Sequence, residues 1–357
     1  MTKVAIQPED IQRILVVKRS SLGDIVHFTP CLRALRAWAP RAQIIMVVDR
    51  CFADVVREDP HVDGLVEVGG SSGTWLARLR SLWPSLDRYR QPRFDLAIDF
   101  QGKPNSALYV YLSRARYQAG RGTVRPGWDC VVHPDVKRHA VHVCAEIAAA
   151  VGVPVIDLDP HVYLAPEADA ALAGRLASTG LPPDGFLLIN PFTRWHSKEW
   201  PRDRYARLVH MLVRDTQLPV VITGGRDRRK ESRQLMSLLD PGAAISLVGQ
   251  LSLAEAMCLF GRAAVMVTGD SGPMHIAAAL GTKLVALFGP TLPERTGPWG
   301  AGHRVIQKRR PVSHHAYARD RAGTHIRAIE IEPVYQAVMD ALDEWTTSRR
   351  EMIENRG

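Results

Sequence analysis

The sequence predicts an α/β protein built on two parallel sheets covered by helices, and three observations carry that prediction. Short, wholly apolar runs alternate with segments whose apolar residues recur at helical spacing. In the second half each apolar run ends in Gly, Asn, Asp or Pro, the residues that turn the chain at strand ends. The 357 residues are enough for two domains of roughly 150 to 180 residues, each with its own core.

Taken in order, ILVV (Ile14 to Val17) reads as a buried strand and IVHFTPCLRALRAW (Ile25 to Trp38) as a helix. QIIMVV (Gln43 to Val48) and GLVEV are the next strands, with a segment around FADVVRE between them. FDLAIDF (Phe94 to Phe100) then precedes the helical SALYVYLSRA. A Pro- and Gly-containing stretch and the alanine-rich PEADAALAGRLASTG separate this half from the next, which places the boundary within 165–184. The expected domains are 1–170 and 171–330, with 331–357 as a closing helical segment. The second series runs through FLLINP, LPVVITGG, AISLVG, AVMVTGDSG and KLVALFGP. Parallel sheets bind ligands at the carboxyl ends of such strands.

Composition narrows the class. Apolar residues make up 46% and charged residues 23%, an ordinary globular balance. Lys plus Arg exceed Asp plus Glu by nine, which favours an anionic partner: nucleic acid, a lipid surface or a phosphorylated metabolite. The first apolar run is too short for a secretory leader. No stretch approaches the roughly 18 apolar residues that span a bilayer, so membrane contact is expected to be peripheral. Five scattered cysteines without a Cys-x-x-Cys pair fit reduced thiols and a cytoplasmic location.

Three segments concentrate the chemistry. KRSSLGDIVH (Lys18 to His27) leaves a strand through small residues, with Asp24 at a helix start, where a carboxylate is equally suited to capping. With only Gly23 it fails the G-x-G-x-x-G dinucleotide pattern, which disfavours a Rossmann dehydrogenase. NPFTRWHSKEWP (Asn190 to Pro201) packs Thr193, Arg194, His196, Ser197 and Lys198 at a strand end, a set of hydroxyls and cations suited to phosphate. GDSGPMHIAAALG (Gly269 to Gly281) turns through Asp270, Ser271 and Gly272 into a helix with His275 in its first turn. Unpaired amides and the dipole there suit a diphosphate. A cap is the ordinary alternative for Asp270, and a satisfied semi-buried histidine for His275. No metal is expected: no metal-binding pattern emerges, and lysine and helix amides are left to neutralise the diphosphate. His314 and His315 read as surface residues. Walker A and Gly-x-Ser-x-Gly patterns are absent as well.

ILVVKRSSLGDIVHFTPCLRALRAWAPRAQI, FDLAIDFQGKPNSAL, INPFTRWHSKEWP and VTGDSGPMHIAAALGTKLVALFGPT, in this order, resemble glycosyltransferase family 9, the bacterial ADP-heptose:lipopolysaccharide heptosyltransferases. The resemblance spans nearly the whole chain. It implies a GT-B fold, with two facing Rossmann-like domains, the active site in the cleft, and a last helix packing back on the first domain. It also implies Asp24 as general base, Lys198 on the donor phosphates, and Asp270, Ser271, Gly272 and His275 as donor-binding, joined by Thr193 and Ser197. An acidic residue holding the donor ribose is implied after Gly225, with Asp227 and Glu231 available and Glu231 put forward. Lys18 and Ser21 are acceptor-side candidates. Arg121 and Arg125 are others, as cations for an anionic acceptor, and a solvated loop explains them equally well.

The expected activity is inverting sugar transfer from a nucleotide sugar, ADP-heptose by resemblance, to a lipopolysaccharide core or other glycan acceptor. No tightly bound cofactor is expected, and peripheral contact with the inner face of the cytoplasmic membrane is. A sugar-nucleotide epimerase and a catalytically silent nucleotide-sugar-binding protein remain as alternatives. A nucleic-acid-binding role is disfavoured because the charge is spread along the chain.

Overall fold

The computed structural model describes residues 6–69, 93–122, 127–311, 318, 320 and 322–354. The chain divides into two compact units, the first ending at Tyr163 and the second beginning at Leu164. That division falls just ahead of the expected 170/171 boundary.

In the first unit β1 (Arg13–Val17) leads through α1 (Leu22–Val26) and α2 (Thr29–Trp38) into β2 (Gln43–Asp49) and β3 (Gly64–Val68). The expected single helix from Ile25 to Trp38 is therefore two. Pro30 lies at the start of α2, where a missing amide proton is tolerated, whereas inside a continuous helix it would break the ladder. The segment FADVVRE lies partly in a short 3₁₀ turn, Arg50–Val55, between β2 and β3. Next come β4 (Leu96–Asp99), α3 (Pro104–Ser113), β5 (Tyr117–Arg121), β6 (Cys130–Val132) and α4 (Ala140–Ala150). The sheet order is β3-β2-β1-β4-β5-β6, all pairs parallel. β1 is buried at every residue, as expected of a central strand covered on both faces.

The second unit opens with α5 (Pro166–Ser178) and continues β7 (Phe186–Asn190), α6 (Arg202–Thr216), β8 (Val220–Ile222), α7 (Arg229–Met236), β9 (Ile245–Ser246) and α8 (Leu253–Arg262). It ends β10 (Ala263–Gly269), α9 (Gly272–Ala279), β11 (Lys283–Leu287), α10 (Pro293–Thr296), β12 (Arg304–Ile306) and α11 (Ile331–Glu354). Its sheet, β12-β11-β10-β7-β8-β9, repeats the topology of the first. α11 buries Val334, Val338 and Ala341 in the core of this second unit, beside β10, β11 and α6. The Trp200 indole N–H donates to the Ile329 carbonyl at 2.9 Å and ties the lead into that helix to the same core.

Both sheets reverse strand order once, between β1 and β4 and between β7 and β10. In doubly wound sheets ligands bind outside the carboxyl ends of strands at that reversal. The segments after β1 and β4, and after β7 and β10, are those that the sequence singles out.

Candidate active site

On the first unit, Val17 is in register with Val47 of β2 and Asp99 of β4, so the chain emerges from β1 between two strand ends. The Ser21 amide and hydroxyl both donate to one oxygen of Asp24, at 2.9 and 2.8 Å. This reciprocal cap starts α1 and fixes the carboxylate's orientation. Lys18 is buried and donates to the Phe100 carbonyl at 3.3 Å. Arg121, at the end of β5, runs its side chain over Gly102, where an added Cβ would come within 3.0 Å of it. The charges of Lys18, Asp24 and Arg121 all bear on the buried Cys144 thiol. Burial pushes that thiol up, and Lys18 and Arg121 oppose the shift. Ser21 is exposed at the rim. Arg125, His314 and His315 lie outside the described residues.

Asp99 belongs to none of the three chemistry-rich segments. It is fully buried and accepts from the Gln101 and Gly102 amides at 2.8 and 3.1 Å and from the Ser106 hydroxyl at 2.7 Å. Burial raises its pKa, while these hydrogen bonds and Lys18 pull the other way. Its signal in the sequence was an acidic residue closing an apolar run in FDLAIDF.

On the second unit the ammonium of Lys198 meets Asp270 at 2.6 Å, both largely buried. Asp270 thus pairs with a lysine, and the residue preceding α9, Ser271, makes no side-chain cap. Ser271, the residue preceding that helix, points its hydroxyl toward Thr268 and Asn190, at 3.3 and 3.5 Å. Gly272 opens the helix and His275 is buried in its first turns. The buried Thr193 hydroxyl donates to the Trp195 carbonyl at 2.7 Å and accepts from the Trp195 amide, which shapes the loop that carries Ser197 and Lys198. Close packing needs Gly269: an added Cβ would lie 2.9 Å from the Thr193 methyl and 3.2 Å from the Lys198 carbonyl.

Glu231 lies in the first turn of α7, with one carboxylate oxygen buried and without a hydrogen-bond partner among the described residues. Arg228 approaches its other oxygen at 3.8 Å and Glu199 at 3.4 Å, and donates to the Thr193 carbonyl. Asp227, the other acidic candidate, is 79% exposed. Arg228 and Glu199 are therefore organising residues hidden in the charge-rich runs RDRRKE and HSKEW. Composition marked those runs, but no spacing rule singled out these two positions.

Among the described residues one group has metal-ligand spacing: Asp59, His61 and His161. His61 Nδ1 and His161 Nε2 lie 2.7 and 3.1 Å from the two Asp59 oxygens. An Arg33 guanidinium nitrogen sits 3.2 Å from His161 Nδ1. A donor facing Nδ1 makes it the acceptor and leaves Nε2–H to donate to Asp59. The group is thus a hydrogen-bonded post that anchors the segment leading to Tyr163.

The family model for glycosyltransferase family 9 (heptosyltransferase) matches residues 80–324. Lipopolysaccharide heptosyltransferase 2 of Salmonella typhimurium is 28% identical over 349 residues, covering 92% of this chain and 97% of that protein. A glycosyl transferase family 9 structure from Veillonella parvula superposes with a TM-score of 0.84 at 23% identity, over 93% of this chain and 98% of that one. E. coli ADP-heptose LPS heptosyltransferase II gives 0.76 at 22% identity, over 93% and 99%. The two six-stranded parallel sheets with the same strand order are the GT-B fold, and with the family match over more than half its length this chain belongs to glycosyltransferase family 9, the heptosyltransferase family.

Proposed function

We propose that the protein is an inverting heptosyltransferase that moves heptose from ADP-heptose to a lipopolysaccharide core or a related glycan acceptor. The observation that carries this reading is the Lys198–Asp270 ion pair, which joins the β7 and β10 strand ends just ahead of α9, with Thr193 packed closely against Gly269 beneath it. A buried lysine beside the amino end of a helix suits a diphosphate. Glu231, with its unpartnered buried oxygen, suits a ribose hydroxyl. The names of the relatives supply the sugar and the acceptor class.

In the reaction the acceptor oxygen attacks the anomeric carbon, and the bond from that carbon to the diphosphate oxygen breaks. The acceptor proton passes to Asp24. Charge grows on the departing ADP, where Lys198 and the α9 amides stabilise it, so they contribute to turnover as well as to binding. Lys18, Ser21 and Arg121 serve the acceptor on the first unit, and an anionic acceptor suits the two cations. The described residues contain no helix long and apolar enough to cross a membrane. The net charge of +9 favours work at the anionic inner face of the cytoplasmic membrane.

Calorimetric titration with ADP, UDP, GDP and dTDP tests the donor assignment. Selective ADP binding, followed by ADP release from ADP-heptose in the presence of truncated lipopolysaccharide cores, is the expected result. Binding of none of the four nucleotides would end the nucleotide-sugar reading. ADP binding without transfer to any core would leave a binding protein in place of an enzyme.

A further inference from the structure

Between the end of β1 and the start of α1 the backbone amides find acceptors other than helical carbonyls. Lys18 N–H donates to the Val47 carbonyl at 3.2 Å, and Ser21 N–H donates to Asp24. The two between them, on Arg19 and Ser20, both donate to a single atom, the side-chain oxygen of Gln101, at 3.1 and 3.0 Å. Two converging N–H donors fix which end of that amide faces the loop. Gln101 is itself held from behind. Its own amide and that of Gly102 donate to the buried Asp99, whose other oxygen accepts from Ser106. On the far side of Asp99 stands Gly120, where any Cβ would come within 2.6 Å of the Asp99 carbonyl oxygen and 2.8 Å of its Cβ. A chain of close contacts thus runs from β5 through the turn after β4 to the loop that carries Asp24.

We infer that Gln101 is a positioning residue for the transfer reaction: its side-chain oxygen, anchored through Asp99, sets the Arg19–Ser20 backbone and so the placement of the Asp24 carboxylate. This rests on Asp24 acting as the base. Misplacing a reacting group by about 1 Å can cost on the order of a hundred-fold in rate, and these part-buried N–H groups, stripped of their acceptor, shift to find another.

The test uses the full chain with ADP-heptose and lipopolysaccharide cores carrying zero, one or two heptoses, following ADP release. Gln101→Met keeps the side-chain length and removes the acceptor; it is expected to lower kcat about ten- to hundred-fold with KM for ADP-heptose unchanged. Gln101→Glu restores an oxygen acceptor and is expected to recover most of that loss. Should Gln101→Met lose its cooperative melt, Gln101→Asn, too short to reach both amides, is read in the same way. Wild-type kcat in the Met variant, or equal loss in the Met and Glu variants, would overturn the inference while leaving Asp24 as base. Wild-type turnover by Asp24→Asn would overturn the base reading, and this inference with it.

Discussion

The ammonium nitrogen of Lys198 lies 2.6 Å from a carboxylate oxygen of Asp270, a residue 72 positions further along the chain. The pair joins the loop after β7 to the turn after β10, at the strand-order reversal of the second sheet. Lys198→Ala is expected to weaken ADP binding about ten- to hundred-fold, the worth of a charge-assisted hydrogen bond of about 1.5–3 kcal/mol. Turnover should fall further, because the departing diphosphate gains charge. Calorimetry with ADP and a transfer assay on the same variant separate the two effects.

Asp24 both caps α1 and is proposed as base. Asp24→Ala should lower turnover about 10²- to 10⁴-fold, with ADP affinity kept within about two-fold because the proposed nucleotide site is on the other unit. Loss of the cap should also cost about 0.5–2 kcal/mol of stability. Transfer kinetics beside a denaturant titration check both, and near-normal turnover would remove Asp24 from the mechanism.

Gly269 tests the packing beneath the loop proposed to hold the donor phosphates. An alanine there presses on the Thr193 methyl and the Lys198 carbonyl, so Gly269→Ala should destabilise by about 1–3 kcal/mol and weaken ADP binding. Gly174, within α5 and with nothing within 4 Å of an added Cβ, is the control. Gly174→Ala should be neutral or stabilise by up to about 1 kcal/mol. Thermal melts of the two variants are the measurement.

The Asp59 post predicts a pH dependence of stability. Burial pushes its carboxyl up, but hydrogen bonds from His161 and His61 outweigh that and hold it below its ordinary 3.8. A carboxyl lowered in the folded state stabilises above its unfolded value, and that contribution disappears as pH falls through the folded value. Asp59→Asn should therefore be less stable than wild type at pH 7, with the gap narrowing as pH drops below about 4. Denaturant midpoints from pH 3 to 7 on both proteins check it; a gap independent of pH would remove Asp59 as its source.

The strands were legible because parallel central strands are apolar along their whole length, as in ILVV and FLLIN, and the turn residues at their ends mark where ligands can approach. Asp24, Lys198 and Asp270 stood out for the same reason: each sits just past such a run. Residues whose role depends on a partner far along the chain were not legible. Gln101 matters through amides more than 80 positions earlier, Arg228 through the Thr193 carbonyl, and Asp99 through a glycine on the next strand. Periodicity also ran straight through Phe28, where Pro30 in fact begins a second helix. The last helix shows an apolar face in the sequence, and its buried residues lie in the core of the second unit. The sequence by itself determined the elements, the strand-end loops and the family, since these follow from local patterns of burial and turning. The tertiary structure alone decided which side chains hold those loops in shape, because hydrogen bonds between strand ends depend on sheet order and register, which no linear spacing encodes.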